Sequence, residues 1–455
     1  MGVIKGLDGL VERGVSEGDR RARRVALESL DEAFEMVDPY KLLRSRVRRE
    51  GDRLIVKGRV YDLASYGRVL VVGFGKAGSL MAKALEDILG DRIDGGLVNV
   101  PYGTSLRLER IELNEAGHPK PDENGLKGAK RILELVSNLS ERDLVLVLIS
   151  GGGSSLLPLP ADGITLEEKG ELSMELMKRG ADIRELNTVR KHLSMVKGGW
   201  LAKRAKPAKV VSLIMSDVVA DPLDVIASGP TVGDKSTFED AFKVLKKYGL
   251  WDEASPSVRR RIERGLEGLE AETPKPWDED MKRVDNLLIG NNELICKALC
   301  SALERRGVRC EHLTSCLEGE AREAGKFVSS LVQQLGLSGR HGVAYVLGGE
   351  TTVTVRGSGV GGRNQELALA SAFKLDGIDS CLVVSVGSDG IDGVSEAAGA
   401  LADGTTLKRA RELGLDPLAY LSNNDSYAFF SKLGDAIITG PTGNNLNDVI
   451  LALRL

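Results

Sequence analysis

Val69-Leu70-Val71-Val72-Gly73-Phe74-Gly75-Lys76-Ala77-Gly78-Ser79 carries the pattern of a strand, a tight turn and a helix in succession. Four consecutive aliphatic residues read as a buried strand, the GxGxxG glycines as a tight turn, and Met81, Leu85 and Ile88 as one face of a following helix. Outward from it, short apolar runs recur at 96–100, 144–149, 210–215, 287–289, 343–347 and 382–386, separated by helical patterns. That alternation predicts an α/β protein with largely parallel sheets. A helix is predicted over 26–34, stopping near Asp38-Pro39. A second opens on the capping box Thr165…Glu168 and ends near Gly180, and a third spans 187–197 before Gly198-Gly199. No fixed period recurs, which excludes a solenoid or propeller.

A chain of 455 residues exceeds what one core supports and predicts two domains. The Glu-, Arg- and Pro-rich stretch 252–282, containing Thr273-Pro274-Lys275-Pro276, places the boundary so that 1–276 and 277–455 are separate domains. The alternative is near 337, beyond which the sequence takes on a Gly-rich β-hairpin character. The 62 basic and 66 acidic residues nearly cancel, so no net field favours nucleic acid or an anionic membrane as partner. Arg20, Arg21, Arg23 and Arg24 lie among acids and read as a solvated helix face. No apolar run approaches the ~18 residues of a membrane span, and no signal peptide is visible, so a cytoplasmic protein is expected. The five cysteines show no CxxC pair and read as reduced, buried thiols.

Several strands run into turns suited to anions, and in open α/β sheets ligands gather at the carboxyl ends of strands. The first is the 73–78 turn, where Lys76 places an ammonium at a helix start, fit for a carboxylate or phosphate. A dinucleotide site would end its second strand with an acid for the ribose, but that strand ends Asn99-Val100-Pro101. The second turn, Gly151, Gly152, Gly153, Ser154 and Ser155, can converge backbone N–H groups on a phosphate. After the run 210–215, Asp217 is a candidate ligand for Mg²⁺, with Asp221 and Asp224 reading as turn residues. The turn Gly348, Gly349, Glu350 and Thr351 is another phosphate candidate, Arg363 a forked donor to phosphoryl oxygens, and Asp389 a base, a metal ligand or a turn former. Asn291 and Asn292 suit either nucleotide contact or a helix cap, and His118 is a substrate-contact candidate. GxxxxGK[ST], HRD and DFG are absent, which excludes P-loop and protein-kinase machinery.

The ordered set GFGKAG, NEAGHPKPDENG, ISGGGSSLLPLP, LNTVRKHLSMVKGG, SDVVADPLDVIASGPT, IGNN, GGETTVTVRG, GGRNQELAL, SVGSDGIDG and TGPTGNNLND, running from Gly73 to Asp448, resembles the glycerate 2-kinase family, whose C-terminal part is called MOFRL. The resemblance covers essentially the whole chain. It implies two Rossmann-like, three-layer α/β domains, the first ending at 276 and the second, MOFRL-type, over 277–455, with the active site in a cleft. It further implies dependence on ATP and Mg²⁺, and conversion of D-glycerate to 2-phosphoglycerate. By position, Lys76 and Arg363 match the family's basic pair; the roles of Asp217 and Asp389 are inferred from their chemistry alone. A homodimer is compatible with the sequence. The rival readings are an NAD(P)-dependent hydroxypyruvate reductase, from the GxGxxG turn, and a non-catalytic sugar-acid or nucleotide sensor.

Overall fold

The run beginning at Val69 forms the strand Arg68–Phe74 at the centre of a six-stranded sheet, in the computed structural model of the chain, which describes residues 2–455. Its order is Ile111–Ala116, Gly95–Pro101, Arg68–Phe74, Asp143–Ile149, Lys209–Met215, Val284–Gly290. Numbered along the chain, these strands lie 3-2-1-4-5-6, the doubly wound arrangement, and the first five pair in parallel. Leu70, Val72 and Phe74 face a cluster that includes Ala129 and Ile132 of the helix Glu123–Leu135. Val69 and Val71, also buried, must point the other way because strand side chains alternate, so the sheet is covered on both faces. A second cluster is built by the helices Leu166–Lys178, Ile183–His192, Phe238–Lys247 and Pro256–Leu266.

The second six-stranded sheet is mixed rather than largely parallel. Only Arg309–Leu317 and Val343–Gly349 pair in parallel. The last strand, Asp448–Arg454, inserts antiparallel between Val343–Gly349 and Cys381–Gly387, and Gly399–Asp403 and Ala436–Ile437 continue antiparallel beyond. A terminal strand returning to the middle of a sheet leaves no local sequence signature. Its register decides the chemistry below: Asp448 stands opposite both Gly349 and Gly387.

The chain divides into two compact units, Leu42–Ile289 and Gly290–Leu455 together with the residues up to Lys41. This differs from a cut at 276 in two respects. The strand from Val284 completes the first sheet, and the N-terminal helix Glu17–Met36 packs on the helix Asn292–Arg305 of the C-terminal unit. Arg23 anchors it: fully buried, its guanidinium reaches Asp403 at 2.5 Å and Asp435 at 2.8 Å. Arg23 is therefore not part of a solvated face; its charge is held by two buried acids distant in sequence.

Three further expectations change. The helix predicted over 187–197 is Ile183–His192, because Asp182 and Glu185 form a capping box upstream and the chain leaves the helix where Ser194 bridges to Pro160. The 353–360 segment is a loop and not a hairpin: the Arg356, Ser358 and Val360 N–H groups go to the Asn424, Asn423 and Asp425 side chains instead of a partner strand. Cys300 and Cys310 form a disulfide, leaving Cys296 and Cys381 buried and Cys316 exposed as free thiols. Among the described residues no helix is long and apolar enough to cross a membrane.

Candidate functional site

The Leu42–Ile289 unit turns its chain order at the Arg68–Phe74 and Asp143–Ile149 strands, and the turns that leave these neighbours are the two glycine turns singled out in the sequence. They are sewn together. Lys76 N donates to Gly151 O at 2.8 Å, Ala77 N to Ser150 Oγ at 3.0 Å, and Ser150 N to Phe74 O at 3.2 Å. Gly152 is at φ +78°, and a Cβ there would stand 2.7 Å from the His118 ring and 3.4 Å from Lys76 Cγ. Lys76, His118 and Gly152 are thus one cluster, and only glycine leaves room for the two side chains. Ser155 Oγ donates to Pro119 O at 2.7 Å, tying the same turn to the His118 segment. The Gly151 and Gly152 N–H groups have no acceptor among the described residues, which leaves the turn two donors for an anion.

Asp217 follows the neighbouring Lys209–Met215 strand and is half-buried. Beyond it the chain holds Ala220, Asp221, Ala227 and Ser228 at positive φ, a concentration of unfavourable conformations of the kind that gathers at functional loops. Ser228 Oγ lies 3.1 Å from Ser154 Oγ and donates to Asn187 Oδ1 at 2.8 Å, joining this loop to the glycine turn. Asp224 faces Lys191 at 3.6 Å. Among the described residues no three His, Cys, Asp or Glu side chains converge as a metal cage. A magnesium ion brought in on phosphates needs only one or two carboxylates, and Asp217 fits that requirement.

In the C-terminal unit the candidate centre is Arg363, the first residue of the helix Arg363–Leu375. Nε and Nη2 donate to the two oxygens of Asp448 at 2.6 and 3.0 Å, and Nη1 lies 3.0 Å from Glu350. Burial works against the guanidinium charge, but Asp448 and Glu350 outweigh it and hold the pKa above the ordinary value. Burial pushes the Asp448 and Asp392 carboxyls up; Arg363 opposes this at Asp448, and Asp389 adds to it. Asp392 caps the helix from outside, accepting from Asn364 N at 3.1 Å and Gln365 N at 2.9 Å. Asp389, half-buried in the turn after Cys381–Gly387, accepts from Ile391 N at 3.2 Å, the local bond of a turn-forming aspartate.

Two expectations fail here. The 348–351 turn is ill suited to an anion, because Glu350 N already donates to Leu317 O, Thr351 is buried, and the Glu350 carboxylate would oppose a phosphate. Asn292 does not reach outward: its amide donates to Leu446 O and Asp448 O at 2.7 and 2.8 Å, so close to Gly348 that a Cβ on that glycine would overlap Asn292 Oδ1. Asn291 is the N-cap of the helix, accepting from Leu294 N at 3.2 Å. Sequence reading also left Asp448, Asp392, Lys169, Arg190 and Lys197 without roles, although all but Lys169 lie inside or beside the motifs it quoted.

Residues 25–263 match a family described only as a domain of unknown function, DUF4147, and residues 343–448 match the MOFRL family. The chain is 44% identical to the glycerate 2-kinase of Pyrococcus horikoshii over 95% of its own length and 97% of the relative's. To the D-glycerate 2-kinase of Thermotoga maritima it is 49% identical over 85% and 90%. It belongs to the glycerate kinase family. The crystal structure of the Thermotoga maritima glycerate kinase superposes with a TM-score of 0.84 at 45% identity, covering 95% of this chain and 99% of that one. Relatives named as putative hydroxypyruvate reductases also occur, such as one of Agrobacterium vitis at 41% identity over 84% of this chain and 86% of that one. Within a glycerate kinase fold, then, the clustered groups are a lysine and open N–H donors in one unit and an acid-held arginine in the other.

Proposed function

We propose that this protein is an ATP-dependent glycerate 2-kinase, transferring the terminal phosphoryl group of ATP to the 2-hydroxyl of D-glycerate in the cytoplasm. The observation that carries the reading is the pair of turns at the switch point of the first sheet, which offers Lys76 and the free Gly151 and Gly152 N–H groups to an anion. The strand beside them ends in Pro101, with no acid for the adenosine ribose of a dinucleotide. Identity of 44–49% to named glycerate 2-kinases over most of the chain supports it.

Phosphoryl transfer makes little covalent demand on the protein; it needs alignment and neutralisation of charge spread over three oxygens. We assign the Gly151–Ser155 turn to the ATP phosphates, Lys76 and His118 to glycerate, and Arg363 to the transferring group, oriented by Asp448. Mg²⁺, when bound with the nucleotide, supplies further charge neutralisation, and Asp217 is the carboxylate that would hold it. Asp389 accepts or orients the proton of the 2-hydroxyl. A reductase would require the GxGxxG turn to seat a dinucleotide, and beside that turn only the relatives bearing the name favour it. Incubation with D-glycerate and MgATP, and separately with hydroxypyruvate and NADH, tests the assignment. ADP release dependent on glycerate is expected; NADH oxidation without ADP release would reverse it, and neither would leave a sensor.

A further inference from the structure

Buried cations in this protein are paired with acids: Arg23 with Asp403 and Asp435, and Lys191 with Asp234 at 3.2 Å. The Leu42–Ile289 unit holds one exception. Lys169 on the helix Leu166–Lys178, Arg190 on the helix Ile183–His192, and Lys197 just beyond it act on one another electrostatically, and no carboxylate stands within ion-pair distance of any of them. Lys197, 2% exposed, donates to Ser154 O at 3.0 Å, within the glycine turn described above. Arg190 has only the Ser173 hydroxyl, at 3.3 Å. Lys169 Nζ is buried with no hydrogen-bond partner at all, and so is the amide nitrogen of Asn187, whose carbonyl oxygen accepts from Ser228.

Cations close enough to oppose one another's charge, with two buried donor nitrogens unsatisfied, are unfavourable unless an anion completes them. We propose that Lys169, Arg190 and Lys197, with Asn187 beside them, form a buried oxyanion site next to Ser154 that takes a phosphoryl group. The inference rests on the kinase reading for the identity of its ligand, which belongs either to the nucleotide or to the phosphorylated product. The chemistry required is common to both: a compact, multiply charged tetrahedral oxyanion able to accept several hydrogen bonds at once.

The lysines add a signature that a structural role would not give. Burial first, then the neighbouring cations, pushes Lys169 well below the ordinary lysine value and Lys197 down to about 7. The charged groups acting on them are each other and Arg190, while Lys191, the next cation on that helix, is committed to Asp234 and Asp224. An anion restores their basicity, so above pH 7 binding takes up protons and affinity falls as pH rises.

Calorimetric titration of the full-length protein at pH 8, in two buffers of different ionisation enthalpy, tests this with sulfate, which carries no titrating proton near neutrality. ADP and 2-phosphoglycerate, run in parallel, distinguish the two sources. Sulfate should bind with net proton uptake. Lys169→Met should weaken sulfate, and whichever of ADP and 2-phosphoglycerate is the physiological ligand, by about 10- to 100-fold, and reduce the uptake. The apo melting temperature of that variant should be unchanged or higher, since methionine replaces an unsatisfied amine. Arg190→Gln provides the same comparison should Lys169→Met not fold. Sulfate binding without proton uptake in the wild type overturns the proposal, as does wild-type affinity for all three probes in the folded variants. Glycerate-dependent ADP release, measured on the wild type, reports on the kinase reading independently of either result.

Discussion

Asp448→Asn probes how Arg363 is held. The carboxylate is 1% exposed and accepts from Arg363 Nε at 2.6 Å, Arg363 Nη2 at 3.0 Å and Asn364 Nδ2 at 3.0 Å. The amide keeps one acceptor oxygen but turns an NH₂ toward a donor and removes the charge opposite the guanidinium. Breaking a buried pair costs about 3–5 kcal/mol. The Arg363 side chain is 34% exposed and retains Glu350, so a smaller cost, about 2–3 kcal/mol, applies. For a unit of this size the expected fall in melting temperature is roughly 5–10 °C, read by calorimetry, where the transitions of the two units can be separated. Misorientation of a positioned group costs on the order of 10²-fold in rate, so kcat/KM for glycerate should fall by about 10- to 100-fold while the protein remains folded. If Arg363→Ala lowers kcat/KM by about 10² to 10³ but Asp448→Asn leaves it within about twofold, the ion pair does not orient Arg363 and the reasoning fails.

Lys76→Met should raise KM for glycerate if the ammonium holds the carboxylate, or lower kcat if it follows the phosphoryl group; steady-state kinetics unchanged in both parameters would remove Lys76 from the site. Gly152→Ala, forced to φ +78° with its methyl against His118 and Lys76, should cost about 1–2 kcal/mol of stability and lower kcat/KM; normal kinetics would show that the cluster tolerates displacement. Asp217→Asn should raise the Mg²⁺ concentration needed for half-maximal rate. Asp389→Asn should lower kcat without changing that requirement, and a magnesium titration giving the reverse pattern exchanges the two roles. Lys197, held down to about 7, binds fewer protons in the folded than in the unfolded chain between about pH 7 and 10.5. Its burial penalty is therefore present in full below pH 7 and relieved as pH rises through that window, so replacing Lys197 with Met should flatten the rise in ligand-free stability measured by denaturant titration.

The inner strands of the first sheet were legible because burial on both faces leaves an apolar run, as at 69–72 and 144–149, whereas the half-exposed edge strand Ile111–Ala116 leaves none. The second sheet was only partly so: an antiparallel strand returning from the end of the chain, Asp448–Arg454, takes its place through pairings with Gly349 and Gly387 that no local pattern encodes. The same holds for the site. Lys76 and Gly152 were marked by the turns that carry them, where local backbone geometry writes itself into sequence as glycine. Arg23 lies in a charged stretch that reads as a solvated helix face, and Lys169 in a helix whose faces the sequence does not tell apart; their surroundings come from elsewhere in the chain, Asp403 and Asp435 for Arg23, Arg190 and Lys197 for Lys169. The 348–351 turn misled for the complementary reason, since a glycine-rich sequence does not reveal that Leu317 O already occupies the Glu350 N–H. Charge and glycine content can be read locally; who satisfies them cannot.

Which hydroxyl of glycerate receives the phosphoryl group separates a 2-kinase from a 3-kinase. Product formed from D-glycerate and MgATP should be consumed by enolase with no phosphoglycerate mutase present, giving phosphoenolpyruvate at the rate of ADP release. ADP release with no phosphoenolpyruvate until mutase is added would place the phosphate on the 3-hydroxyl and contradict the assignment.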